Sequence, residues 1–205
     1  MRRIWIGASL VLLIAVFTSN SATGYFNASE LNPNSTFSTA TNWPEILRPD
    51  GAGNSTQNTP SGAAETWQCV DEETSDEDST YVQSEATSYL KDAYSTQNHS
   101  VGSGTISKVT ISIRCRKVNS YLDQAVYAKT VLRTSDTDYE GAEVSLPQDY
   151  AVHSSEYSVN PNTSNAWTWG EIDALECGVS LKSAQSDAWD YARCTQIWVA
   201  VYYTP

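Results

Sequence analysis

The residues best suited to chemistry form an acidic segment, Asp71–Asp78, which places six carboxylates in eight positions. Calcium in proteins takes about six to eight oxygen ligands, and a carboxylate-rich connection between two strands can supply several of them. On this pattern Asp71, Glu72, Asp76 and Asp78 are candidate calcium ligands. Because the glycine and the distal glutamate of an EF-hand loop are missing, a solvated acidic turn is the alternative. No other cofactor is expected.

Three tryptophans are candidates for sugar binding, because an exposed indole can stack on a sugar ring. Trp167 and Trp169 lie beside Asn162 and Asn165 in the densest aromatic and polar patch of the chain, and Trp189 follows in the next segment. Trp167 and Trp169 also precede a predicted helix. Their alternative role is to anchor that helix to the core.

Four cysteines without a Cys-x-x-Cys pair favour disulfides over a zinc site. Three connectivities are open to them. We expect two disulfides, Cys69–Cys194 and Cys115–Cys177, which would join strands of the predicted core.

Five Asn-x-Ser/Thr sequons predict N-glycosylation sites in an exported chain. They are Asn27, Asn34, Asn54, Asn98 and Asn162.

Two classes of function are disfavoured. Neither His99 nor His153 lies near a nucleophile elbow, and the chain has no glycine-rich phosphate loop, so we expect no catalytic residues and no enzymatic activity. Acidic residues outnumber basic residues 24 to 12, which gives a formal net charge of −12. Such a chain repels phosphate backbones and anionic lipid surfaces, so neither nucleic acid nor a membrane is an expected partner of the mature protein.

The first 22 residues have the features of a signal peptide. Arg2 and Arg3 precede a largely apolar run, Ile4–Phe17, and small polar residues follow. A run of this length is short for a membrane-spanning helix, although a permanent N-terminal anchor is the alternative. The pattern predicts a protein that is secreted, extracellular or displayed at the cell surface.

Residues 23–65 read as an extended arm rich in Ser, Thr and Asn, and residues 66–205 as a β-sandwich domain. The arm contains four of the seven prolines and too little apolar surface to offset its ordering entropy alone. From residue 66 onward apolar and polar residues alternate in the sequence with the two-residue period of β-strands. The predicted strands are Ser79–Ser84, Val109–Arg116, Gln124–Arg133, Glu143–Leu146, Tyr150–Val159, Gly178–Lys182 and Ile197–Tyr203.

Strands at this spacing favour an all-β fold, an antiparallel sandwich resembling a jelly roll, with one or two short helices. The stronger helix signal is Thr168 followed by Glu171 at capping-box spacing, with Ile172 and Leu175 on one face behind them. A weaker helix candidate is Ser88–Tyr94.

Two resemblances to known families add to this interpretation. Gly24–Glu30 (GYFNASE) followed by Asn34–Phe37 (NSTF) resembles the mature start of camelysin/TasA-type biofilm-fibre subunits. That resemblance implies an extracellular fibre subunit. Six further segments resemble an uncharacterised group of β-sandwich modules found in secreted and phage-associated proteins, which implies the fold only. They are Ile46–Pro49, Trp67–Glu72, Asp78–Val82, Gly102–Ile106, Ala166–Leu175 and Cys194–Val199.

The leading hypothesis is therefore a secreted, non-enzymatic structural or surface protein. It would self-assemble into fibres by donating Tyr25–Thr41 to the edge strand of a neighbouring copy. The alternative is a carbohydrate-binding module displayed at the cell surface, with glycans as its partners.

Overall fold

The computed structural model describes residues 44–101, 103–118, 125–183 and 190–205. The predicted signal peptide lies outside these ranges, as do Asn27, Asn34 and Trp189. In the described part of the chain, no helix has the length and apolar character needed to cross a bilayer.

Two antiparallel six-stranded sheets pack face to face and form a sandwich. The strands of the described ranges are β1 (Glu45–Leu47), β2 (Pro49–Thr56), β3 (Thr59–Ser61), β4 (Tyr81–Ser84), β5 (Leu90–Thr96), β6 (Thr105–Val118), β7 (Tyr127–Thr134), β8 (Thr137–Glu140), β9 (Val144–Ser145), β10 (Ala151–Tyr157), β11 (Glu176–Lys182) and β12 (Tyr191–Thr204). A 3-10 turn at Trp67–Cys69 and the helix α1 (Trp169–Asp173) accompany them.

The strand order is that of a jelly roll. Sheet A runs β10-β6-β12-β4-β3 with β1 also paired to β12, and sheet B runs β2-β5-β11-β7-β8 with β9 also paired to β7. If β4–β8 and β10–β12 are numbered one to eight along the chain, sheet A contains 6-3-8-1 and sheet B contains 2-7-4-5. This arrangement of two Greek keys confirms the predicted all-β, jelly-roll-like sandwich.

The two long strands β6 and β12 form the centre of sheet A, and their predicted alternation is confirmed. They pair antiparallel from Tyr191 opposite Val118 to Thr204 opposite Thr105. Their inward side chains are fully buried and face the inward residues of β7 and β11. These core residues are Val109, Ile111, Ile113, Cys115, Ala128, Leu132, Cys177, Val179, Leu181, Cys194, Ile197, Val199 and Val201.

The capped helix predicted after Trp167 is also confirmed. The Thr168 hydroxyl accepts from the Glu171 amide at 3.3 Å, and the Glu171 carboxylate accepts from the Thr168 amide at 2.8 Å. Behind this reciprocal cap, Ile172 and Leu175 are buried.

The prediction of a second helix at Ser88–Tyr94 is wrong, because Leu90–Thr96 forms strand β5. This strand bonds to β2 on one side and to β11 on the other. Asp92 and Tyr94 both point into the core, which is the two-residue period of a strand. Pairing on both sides outweighs the weak helical spacing of a short segment.

The predicted boundary between arm and sandwich at residue 66 is also corrected. Residues 45–61 already supply three strands, of which β1 pairs with β12, β2 with β5 and β3 with β4. Because β2 and β3 end their sheets, a polar sequence with prolines is compatible with pairing there. In β1, Leu47 is buried in the core.

Candidate functional site

The outer face of sheet A carries an apolar surface, which we call the platform, defined by Ile46, Val152, Trp198 and Tyr202. Trp198 and Tyr202 occupy outward positions of β12, where the inward residues Ile197, Val199 and Val201 are buried in the core. Ile46 on β1 and Val152 on β10 are 39% and 47% exposed, although large apolar side chains are usually covered. The platform residues thus come from three strands, β1, β12 and β10, with β6 between the last two.

A row of hydroxyl groups continues the platform away from Trp198. Trp198 lies opposite Ser112 on β6, which lies opposite Ser154 on β10. The two serine hydroxyls are hydrogen-bonded at 2.8 Å, and Ser154 is exposed. With strands ~4.8 Å apart, the indole and the outer hydroxyl belong to strands ~10 Å apart.

A charged pair borders one end of the platform. The Lys108 ammonium lies 2.7 Å from the Glu156 carboxylate and 4.6 Å from the centroid of the Tyr202 ring. It therefore makes both an ion pair and a cation–π contact, and it fixes one side of the Tyr202 ring.

The acidic segment borders the other end. Glu77 pairs with Arg114 at 2.5 Å, and Asp78 pairs with Arg116 at 2.8 Å and with Arg193 at 3.0 Å. The three arginines project from the outer face of β6 and β12. The segment is thus bound to sheet A, and part of its charge is neutralised there.

The predicted calcium ligands are not assembled as a metal site. Across the described ranges, no group of three or more His, Cys, Asp or Glu side chains is placed to hold an ion. Asp78 is taken up by arginines, while Glu72 and Asp76 both lie within hydrogen-bond distance of the Thr80 hydroxyl, at 2.5 and 2.9 Å. Burial, together with the neighbouring carboxylates, raises the pKa of Glu72 and of Asp71.

Trp167 and Trp169 anchor α1, as in the alternative role that the sequence allows, and sugar stacking by these residues stays a prediction. Trp167 is only 4% exposed, and its indole N–H donates to the Tyr157 carbonyl at 3.1 Å. Trp169 is half-buried, and its N–H donates to the Gly104 carbonyl at 2.9 Å. His99 stacks on the Trp169 ring with 4.8 Å between ring centroids. Trp167 is thus covered by the protein, and His99 lies against one face of the Trp169 ring.

Trp198 was missed as a site residue, although the sequence contains its signal. It alternates with Ile197 and Val199, so it must face away from the core whenever they face inward. Core packing does not explain a tryptophan on the outer face of a central strand, so such a residue is a candidate for binding. Aromatic density alone pointed instead to the helix anchors.

On the outer face of sheet B, the charged side chains form ion pairs with one another. Lys91 on β5 reaches Asp138 at 3.0 Å and Glu140 at 2.9 Å, both on β8. Lys129 pairs with Glu140 at 2.9 Å, and Arg133 with Asp138 at 2.8 Å. Burial alone would raise the pKa of Asp138, but its bonds to Arg133 and Lys91 lower it overall.

The tyrosine rings on the outer face of sheet B are in contact with lysine ammonium groups. The ammonium groups of Lys129 and Lys182 lie 4.4 and 4.8 Å from the Tyr89 ring centroid, and Lys182 lies 4.5 Å from that of Tyr127. The Tyr89 hydroxyl donates to Glu143 at 2.6 Å. Lysine ammonium groups thus lie against tyrosine rings on both outer faces, and the platform differs in carrying a tryptophan, Trp198.

All four cysteines are buried and unlinked in this structure, so it contains neither of the predicted disulfides, Cys69–Cys194 and Cys115–Cys177. The Cys69 thiol lies 3.4 Å from the carbonyl of Ser61, the last residue of β3, and 3.5 Å from that of Glu65, just before the 3-10 turn. Cys115 and Cys177 belong to different sheets, and the strand neighbour of Cys115 is Cys194.

The sequons of the described ranges are exposed. Asn54 lies on the edge strand β2, Asn98 follows β5, and Asn162 lies between β10 and α1. Each position leaves room for a glycan, and their glycosylation stays a prediction.

Neither histidine belongs to a nucleophile–base pair among the hydrogen bonds of the described residues. His99 accompanies Trp169, and its Nδ1 lies 2.7 Å from an Asp173 carboxylate oxygen. His153 is half-buried on β10, and burial lowers its pKa. The expected lack of enzymatic activity stays a prediction.

No family model matches the chain, and no curated protein matches it. Among solved structures it is similar to the N-terminal CBM22-1–GH10 modules of endo-1,4-β-D-xylanase 10B from Clostridium thermocellum, crystallised with xylohexaose. The two share 6% sequence identity with a TM-score of 0.42, and the match covers 78% of this chain and 29% of that chain. The present chain thus spans less than a third of that protein's length.

Proposed function

We propose that this protein is a secreted or surface-displayed, non-enzymatic carbohydrate-binding sandwich that holds a glycan on the platform. The observation that supports the proposal is the outward, half-buried position of Trp198 at the centre of sheet A. The exposed Ile46 lies on the neighbouring strand β1, and the exposed Val152 lies two strands away on β10. Indole rings stack on the apolar faces of sugar rings, and they keep a polar N–H for hydrogen bonding.

The neighbouring groups suit an uncharged polysaccharide. The exposed hydroxyl of Ser154 is placed to bond a sugar hydroxyl beyond the indole. The charged residues at the two ends, Lys108 with Glu156 and Arg114 with Glu77, are already paired with each other. Because paired charges offer little net attraction to an ion, shape and stacking would determine the specificity.

The test is a glycan array of neutral and acidic polysaccharides, probed with the wild type and two variants. Trp198→Ala removes the stacking ring and should reduce binding at least tenfold. Tyr89→Ala removes an aromatic ring from the opposite face and should leave binding unchanged. The proposal fails if no glycan is bound, or if Trp198→Ala binds as well as the wild type.

The fibre-subunit hypothesis depends on Tyr25–Thr41, which lies outside the described residues. Self-association through that segment therefore stays a prediction. Sedimentation of the mature chain with and without the segment tests it, since only the complete chain should form large assemblies.

A further inference from the structure

Cys115 and Cys194 lie directly opposite each other on the two central strands of sheet A. Both side chains point into the core and are fully buried. Immediately after Cys194 the register shifts by one residue, so β12 has a bulge at Thr195. The cysteine pair is therefore held at a defined point of the longest strand pairing in the described fold.

The spacing of this pair suits a covalent link. Opposite residues of antiparallel strands have Cα atoms ~4.5 or ~5.5 Å apart, depending on the type of pair. Disulfides are found for Cα separations of roughly 4.4–6.8 Å, so either type lies within the range. Burial and the neighbouring Cys194 thiol both raise the pKa of Cys115, which agrees with two thiols in contact.

The other two cysteines have different surroundings. Cys69 interacts with the carbonyl groups of Ser61 and Glu65, which precede it in the chain. Cys177 lies on β11 in sheet B, where its strand neighbours are Tyr94 and Leu132.

We infer that Cys115 and Cys194 form a cross-strand disulfide when the chain folds in an oxidising compartment, while Cys69 and Cys177 remain buried thiols. The oxidant is a small or protein disulfide such as glutathione disulfide. One cysteine thiolate attacks it, forms a mixed disulfide and releases a thiol; the second thiolate then attacks the protein sulfur and releases the other thiol. The two cysteines lose two protons and two electrons in total, and the oxidant is reduced to two thiols.

The exchange must precede closure of the core, because both sulfurs are inaccessible afterwards. Once formed, the bond would link β6 to β12 and close a loop of 79 residues (194 − 115). Closing a loop of this size restricts the unfolded chain and should stabilise the fold.

The experiment is refolding of the reduced full-length chain in a glutathione redox buffer, followed by alkylation in denaturant and peptide mapping. We expect alkylation of Cys69 and Cys177 only, with one linked peptide pair that contains Cys115 and Cys194. Alkylation of all four cysteines, or any link that involves Cys69 or Cys177, would overturn the inference.

Stability measurements give an independent readout. Reduction should lower the melting temperature of the oxidised wild type by ~5–15 °C. Reduction should not change the melting temperature of Cys115→Ser or Cys194→Ser. It should lower the melting temperature of Cys69→Ser as much as that of the wild type. If a Cys115 or Cys194 variant does not fold, the mapping of the wild type alone decides the question.

Discussion

The hydroxyl of Tyr94 donates to the carboxylate of Asp92 at 2.6 Å, and both side chains are fully buried between the sheets. The same carboxylate accepts from the backbone amides of Gln57 at 2.6 Å and Asn58 at 2.9 Å. Those two residues form the connection between β2 and β3, which belong to different sheets. A single buried acid thus joins β5 to the crossover between the two sheets.

Replacement of Asp92 by Ala should lower the free energy of unfolding by about 2–4 kcal/mol, because the buried Tyr94 hydroxyl and the buried Asn58 amide lose their acceptor. The Gln57 amide keeps a second acceptor, the Lys91 carbonyl at 3.3 Å. Urea denaturation followed by tryptophan fluorescence measures this change. The matched control is Asp149→Ala, whose side chain is exposed in the connection between β9 and β10 and which should change stability by less than about 0.5 kcal/mol. Equal effects of the two substitutions would show that the buried network contributes little.

Asp92 also shows where the sequence could not predict the fold. A charged residue between Lys91 and Ala93 has no pattern that marks it as buried, because its burial depends on amides more than 30 positions away. The prolines and polar residues of β2 and β3 likewise predict an extended arm, because their pairing partners are distant in the sequence. Edge strands are stabilised by backbone pairing, which leaves little trace in side-chain type.

The parts that could be predicted have local causes. The alternation of β6 and β12 follows from one face being core and the other solvent, and the cap of α1 needs only residues three positions apart. For Trp198 only one part could be predicted, namely its outward direction, which follows from the alternation. Its surroundings on the sheet, with Ile46 on the neighbouring β1 and Val152 two strands away, depend on the strand order, and only the topology shows that.

The capping box of α1 predicts a second measurable effect. Thr168→Ala removes the acceptor for the Glu171 amide and should lower the free energy of unfolding by about 1 kcal/mol. Thr168→Ser keeps a hydroxyl at the cap and should stay within a few tenths of a kcal/mol of the wild type. Thermal or urea unfolding of the three proteins compares them, and equal stability of the Ala and Ser variants would contradict a role for the cap.

For calcium, the expected outcome is no effect on stability. Asp78 is held by two arginines, and in the described part of the chain the remaining carboxylates do not form a ligand set. A specific site would raise stability by ~2.7 kcal/mol at a free ion concentration a hundred times the dissociation constant. Melting curves in millimolar calcium and in chelator should therefore coincide. A higher melting temperature in calcium that disappears in the variant Asp76→Asn with Asp78→Asn would show that the segment does bind the ion.

The same segment predicts a dependence of stability on pH through Glu72. Its pKa is raised, first by burial and then by repulsion from Asp76 and Asp71, while its hydrogen bond with Thr80 opposes the shift. The folded protein therefore binds the Glu72 proton more tightly than the unfolded chain, whose glutamate has a pKa of ~4.3. The resulting stabilisation is fully present below that value and is lost as the pH rises through the raised folded-state pKa.

Urea denaturation of the wild type and Glu72→Gln between about pH 7 and pH 4 tests this linkage. The difference in unfolding free energy should move in favour of the wild type as the pH falls, whatever its size at neutral pH, because only the wild type takes up the proton. Thr80→Val removes the bond that opposes the shift, so in this background the change should begin at a higher pH. A difference between wild type and Glu72→Gln that is constant over the whole range would mean that Glu72 titrates alike in the folded and unfolded chains.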